Sequence, residues 1–206
     1  PEDPVAPNHA FRFTDDAPDG DSATRVYIKW GDSAKLYNSR LVYRKEWNGY
    51  LRYMGTSKTN WYADRDSDDS AIAFQNVIVQ FTRVDYNHNN KNEPIMYVIG
   101  ENGEAAEGNA DFFLGGKHIS GYWKRDGMTS RTVYYDASGE EIALLRGRTL
   151  IVIFPDEWWD QLPGTSMVGI ATSRQKSLTR LTRKSGMTRR LIGFPLKVPR
   201  KMSSPR

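Results

Sequence analysis

The sequence predicts a mainly β fold: a β-rich α+β domain built as an antiparallel sheet of hairpins, with little helix and a basic C-terminal tail expected to be disordered. Three observations carry that prediction. Runs rich in Val, Ile, Tyr and Trp recur between Gly, Asn and Asp turns across residues 74–155, and β-branched and aromatic side chains suit a pleated, half-buried surface. Residues 24–30 alternate apolar and polar side chains at period two, the mark of a strand with one covered face. Asn48-Gly49 stands between residues 41–47 and 50–53, both of strand character, and reads as a hairpin turn because both positions tolerate positive φ.

Taken in order, residues 1–23 are Pro- and Asp-rich and read as an extended lead-in. Residues 24–160 form the β domain and residues 161–206 the tail. After the Asn48-Gly49 hairpin, residues 71–86 read as one long strand paired with 95–99 across an Asn-rich turn. Residues 101–108 are a loop, Gly115-Gly116 is a tight turn, and residues 117–124 and 131–136 are strands. Asp136-Ala137-Ser138-Gly139 turns the chain into 140–145, and Arg146-Gly147 leads into a last strand ending at Pro155.

Composition excludes several function classes. The chain has no Cys, so disulfides, thiolate nucleophiles and Cys-ligated metals are ruled out. No apolar run approaches the roughly 20 residues that cross a bilayer as a helix. The net charge of +4 hides a division: eleven of the 29 Lys/Arg and none of the Asp/Glu fall within residues 164–206, so the body is acidic and the tail basic. Such a tail has the means to contact phosphates of nucleic acid or anionic lipid. Basic low-complexity ends are more often simply disordered, so nucleic acid is not the expected partner.

The chemistry-bearing motifs are sparse. Asp64, Asp66, Asp68 and Asp69 invite a calcium reading, but a calcium loop of this type places Gly sixth and Glu twelfth, where this chain has Asp69 and Gln75. A solvated acidic turn is preferred. His9, His88 and His118 are scattered, no Gly-x-Ser-x-Gly occurs, and no Gly-rich phosphate loop is present. No catalytic residue, metal ligand or cofactor is therefore assigned. Aromatics are the suggestive excess, with Tyr43, Trp47, Tyr50, Tyr53, Trp61 and Tyr62 close together and Tyr122, Trp123, Tyr134 and Tyr135 forming a second group. Exposed rings on a sheet can stack on sugars or bases, and buried ones fill a small β core. Arg52 shares a strand face with Tyr50, which suggests a polar groove or a cation–π contact.

The order of these pieces resembles the C-terminal part of the YerB-like family of bacterial lipoproteins, a domain family of unknown function. The resemblance rests on Tyr50-Leu51-Arg52, the acidic turn around Asp64, residues 75–80, Gly121-Tyr122-Trp123-Lys124, residues 132–136 with 139–142, and residues 147–155. It covers roughly residues 9–160 and leaves the basic tail unmatched. It implies an extracytoplasmic protein of the cell envelope, anchored to the membrane by a lipid on an N-terminal Cys that is absent here. It implies no known activity.

The expected function is a non-catalytic binding or interaction module of the bacterial envelope, contacting cell-wall polymer or an envelope protein. The candidate surface is Tyr50, Arg52, Asp64, Asn76 and Trp123, with Asn76 also readable as a cap and Trp123 as core. One alternative is a cell-wall polymer hydrolase using carboxylates such as Asp64 and Asp66 as acid and base. The other is anionic-polymer binding through the tail.

Overall fold

The computed structural model describes residues 10–30, 37–55, 61–87 and 93–156, and the backbone of 168–171. Short strands dominate, joined by tight turns. In chain order they are β1 (Phe13–Thr14), β2 (Asp21–Ser22), β3 (Arg25–Ile28), β4 (Ser39–Arg44), β5 (Gly49–Gly55), β6 (Trp61–Ala63), β7 (Ala73–Phe74) and β8 (Asn76–Thr82). They continue as β9 (Val84–Tyr86), β10 (Pro94–Met96), β11 (Ala106–Leu114), β12 (Lys117–Arg125), β13 (Val133–Asp136), β14 (Leu144–Leu145), β15 (Thr149–Pro155) and β16 (Val168–Ala171). Among the described residues no helix is long and apolar enough to cross a membrane.

Two sheets carry the fold. The first runs β13-β12-β11-β8-β15, with β2 added to β12; the second runs β16-β3-β4-β5-β6, with β7 added to β5. Val26, Ile28, Leu41 and Tyr50 of the second sheet pack with Val77, Val79, Phe81, Phe113 and Phe154 of the first. The sheets therefore face one another across a shared core. The opposite face of the first sheet is covered too: Ile78, Phe112, Leu114, Trp123 and Tyr134 pack under Ile142, Leu144 and Leu145, with Phe11 beside them. The expected lead-in is thus extended and pinned at residues 13–14 and 21–22 by pairing with β14 and β12.

Burial on both faces explains β8, whose seven residues are all buried. Its odd-numbered residues feed one core, and Ile78 the other. Its polar side chains are each satisfied. Asn76 Nδ2 donates to Leu145 C=O at 2.8 Å and to Thr149 Oγ1 at 3.0 Å, while its Oδ1 accepts from Leu145 N–H at 2.7 Å. Gln80 Oε1 accepts from the Tyr134 hydroxyl at 2.9 Å, and burial pushes that phenol up to about 12. Thr82 Oγ1 donates to Tyr97 C=O.

The turns follow residue chemistry. Gly115 and Gly116 take φ of 55° and 81° and close the β11–β12 hairpin with Leu114 opposite Lys117, the positive-φ pair that fits strand twist. The β4–β5 hairpin forms as expected, but the turn is longer than two residues. Lys45–Trp47 make a 3-10 turn, Asn48 alone is left-handed at φ 42°, and Gly49 already pairs with Arg44 inside β5. Gly49 instead occupies a tight space: a Cβ there would come within 3.2 Å of the Phe74 carbonyl oxygen.

Three expectations are revised. Residues 71–86 are not one strand: β7 belongs to the second sheet, β8 to the first, and β9 to a separate ribbon with β10. The chain changes sheets at Gln75, whose side chain donates to Trp47 C=O and accepts from Arg148 N–H. The β9–β10 register is Val84 opposite Met96 and Tyr86 opposite Pro94, so the partner strand is 94–96 rather than 95–99. Pairing is mostly antiparallel, yet β15 lies parallel to β8 from Thr149–Asn76 to Pro155–Thr82. Its apolar run suits that setting, since parallel strands read as continuous rather than alternating hydrophobics. Within the expected tail, Val168–Ala171 form a strand antiparallel to β3; the rest of 161–206 lies outside the described residues, as does the Asn-rich tip at 88–92.

Asn76→Ala strips both partners from Leu145, leaving a buried N–H and a buried C=O unmatched. A loss of about 2–3 kcal/mol in urea unfolding is expected, whereas a loss near zero would show that Asn76 does not tie β8 to the β14–β15 segment.

Candidate functional site

A cavity of 970 Å³ opens where the space between the sheets reaches the edge of the sandwich. Ile28 and Trp30 wall it from β3 and the residues just after it, Arg52 and Met54 from β5, Val84 and Tyr86 from β9, Met96 from β10, and residues 150–153 with Pro155 from β15. Trp30 leans on Phe154 with ring centroids 4.7 Å apart. Strand alternation accounts for the β5 contribution: Tyr50 lies in the core, Arg52 further out, and Met54 at the rim, 38% exposed. Tyr86, Met96 and Ile151 are exposed at 43%, 48% and 41%, so the opening is bordered by large apolar side chains rather than by charge.

Arg52 is the one charged residue among the described residues that line this groove. Its Nη2 lies 2.6 Å from Asp64 Oδ2, and both side chains are largely shielded. The guanidinium also sits 5.9 Å from the centroid of the Phe74 ring. Its Nε is buried without a hydrogen-bond partner. A buried donor left unmatched costs free energy; the groove itself combines an apolar wall with the Arg52–Asp64 ion pair.

The five residues drawn from sequence separate into two groups. Arg52 and Asp64 come together as the ion pair at the groove. Tyr50, Asn76 and Trp123 are 0%, 0% and 1% exposed and spend their polar atoms inside the fold. The Tyr50 hydroxyl donates to Ala23 C=O at 2.9 Å, and burial drives its ionisation far above the ordinary phenol range. Trp123 Nε1 donates to Phe81 C=O at 2.7 Å. Rings do remain outside the core: Trp47 is 45% and Tyr62 64% exposed, and Tyr53 and Trp61 flank the Arg40 guanidinium at 5.0 Å each.

The acidic turn folds around its own backbone. Asp66 Oδ1 accepts from Ser67 N–H and Asp68 Oδ1 from Ser70 N–H, while Asp69 adopts φ 65°. The hydrogen bonds from Ser70 hold the Asp68 carboxyl below the usual carboxylate range. Asp66 lies 3.6 Å from Arg148, and Asp64 faces Arg52 instead, so the two carboxylates considered as an acid–base pair engage different cations.

Sequence reasoning missed a polar cluster in the first sheet. His118 Nε2 lies 2.8 Å from Asp111 Oδ1, and Ser120 Oγ donates to the same oxygen at 3.0 Å. The Gly115-Gly116 turn fixes this register, bringing Asp111 opposite Ser120 and Phe113 opposite His118, so the signal was available in the turn. The arrangement does not activate a nucleophile. The imidazole does not stand between hydroxyl and carboxylate, and the Ser120 proton is engaged by Asp111.

A two-sheet β domain with an apolar groove at its open edge is the class of protein that this geometry defines. The chain belongs to the family described as protein of unknown function (DUF3048), C-terminal domain, which matches residues 26–151. The crystal structure of YerB protein from Bacillus subtilis is similar in fold, with a TM-score of 0.56 and 18% identity over 79% of this chain and 47% of that chain. This chain thus spans less than half the length of that protein. No match is found among curated proteins.

Asp64→Asn leaves the Arg52 charge facing apolar walls with a weaker partner. Partial exposure of both groups tempers the cost, and a loss of about 1–2 kcal/mol in chemical denaturation is expected. An unchanged midpoint would show that the pair contributes nothing to holding β5 against the acidic turn.

Proposed function

We propose that this domain is a non-catalytic interaction module of the bacterial cell envelope that holds an apolar segment of a partner envelope protein in the groove between its sheets. The observation that carries this reading is the chemistry of the groove: apolar walls, a rim of Met and Tyr, and a single charged residue, Arg52, already paired with Asp64. Methionine-rich rims adapt to varied apolar surfaces, and a protein segment supplies the apolar side chains that such walls take up. A wall glycan fits less well. Its hydroxyls need several donors and acceptors, and among the described lining residues only Ser39, the Trp30 indole, the Tyr hydroxyls and Arg52 offer N–H or O–H side-chain groups. The extracytoplasmic placement and the lipid anchor rest on the resemblance to bacterial lipoproteins.

Photocrosslinking from a benzophenone side chain at Met54, in envelope preparations, tests the reading. The expected result is one discrete crosslinked envelope protein, lost when Val152→Asp places a charge on the groove wall. Retention on purified cell wall that Val152→Asp leaves undiminished would overturn it in favour of a polymer ligand.

A further inference from the structure

The outer edge of β15 holds pairing capacity that no described strand uses. Among the described residues β15 is the end strand of the first sheet and pairs on one side only, with β8. Successive residues in a strand turn their N–H and C=O groups to opposite sides. Arg148 C=O accepts from Asn76 N–H and Asp156 N–H donates to Thr82 C=O, so the even-numbered residues face β8. Thr149, Ile151 and Ile153 therefore direct their backbone groups outward, and among the described residues no strand meets them, whereas Pro155 at the end of the strand is buried. Pro155 stands where a missing N–H takes no bond from the ladder, as edge prolines do. An uncharged edge strand seven residues long, with no bulge, is open to further pairing.

We infer that the chain forms a two-fold symmetric dimer by antiparallel pairing of β15 with the same strand of a second copy. The charges that bracket β15 argue for that occupant and set the register. Arg148 precedes the strand and Asp156 follows it. Pairing centred on Val152 brings Arg148 opposite Asp156 of the partner subunit, and by symmetry the same ion pair recurs at the other end. In this register Ile151 and Ile153 of the partner subunit exchange both backbone hydrogen bonds. Val152 falls on the axis with its own backbone turned to β8, at a non-hydrogen-bonded position where opposing side chains come closest. A neighbouring register that also aligns outward groups sets Arg148 against Phe154 and forfeits both ion pairs. The present Arg148–Asp66 contact is long at 3.6 Å and exposed, so little holds the guanidinium back. The dimer goes beyond the groove reading: it uses the outward main-chain groups of Ile151 and Ile153, residues that also line the groove, while Leu150, Val152 and Phe154 stay on the core face, so a paired second copy and a groove ligand meet at the same edge.

Sedimentation equilibrium of the full chain tests this. The wild type is expected to associate as a dimer. Ile153→Pro removes an outward N–H and no bond to β8, and weakens association by about tenfold or more. Arg148→Asp weakens it as well, and combining Arg148→Asp with Asp156→Arg restores it, since the exchange preserves opposite charges across the axis. A chain that stays monomeric at all accessible concentrations overturns the inference, and so does a dimer indifferent to both Ile153→Pro and the charge reversal.

Discussion

Double-sided burial of β8 is the constraint on which the rest of the structure depends. It is hydrogen-bonded by β11 on one side and β15 on the other, with one core above it and one below. A strand so placed has no route to water for any polar group, so Asn76, Gln80 and Thr82 must each find protein partners, and each does. Those partners lie on distant parts of the chain: Leu145 and Thr149 for Asn76, Tyr134 for Gln80, Tyr97 for Thr82. The polar side chains of β8 thereby fix the positions of the segments that cover it.

The groove is a consequence of the same layout. β8 is flanked by an edge strand whose core-facing residues, Leu150 and Val152, extend past the point where the second sheet stops covering them. The β9–β10 ribbon then leaves the sheet after Thr82 and lines the opening with Val84, Tyr86 and Met96. Arg52 is the residue that β5 offers at that depth. Its pairing with Asp64 lets a charged group stand among apolar neighbours while one donor remains unused.

Much of this was legible in the residues, and what was not has a physical cause. Gly115-Gly116 announced its hairpin because only a positive-φ pair suits that turn, and the register that follows even predicts Asp111 opposite Ser120. Asn48-Gly49 announced a hairpin but not its form, since one left-handed residue after a 3-10 turn satisfies the same signal. The break at Gln75 was hidden because apolar residues continue on either side of it, and periodicity cannot report a change of sheet. The parallel partner of β15 was hidden by distance along the chain. At the site, alternation correctly placed Tyr50 and Arg52 on one face, yet could not show that this face looks into the core at one end and into an open groove at the other. Trp123 and Asn76 were drawn as surface because residue type alone does not distinguish a ring that stacks on a ligand from one whose N–H is spent on Phe81.

Native-state amide hydrogen exchange tests the central role of β8 most directly. The amides of Val77, Ile78, Val79, Gln80 and Phe81 should exchange only through global unfolding, at free energies matching denaturant unfolding, while those of β9 and β10 exchange through smaller local openings. Exchange of the β8 amides as readily as those of the β9–β10 ribbon would contradict the account.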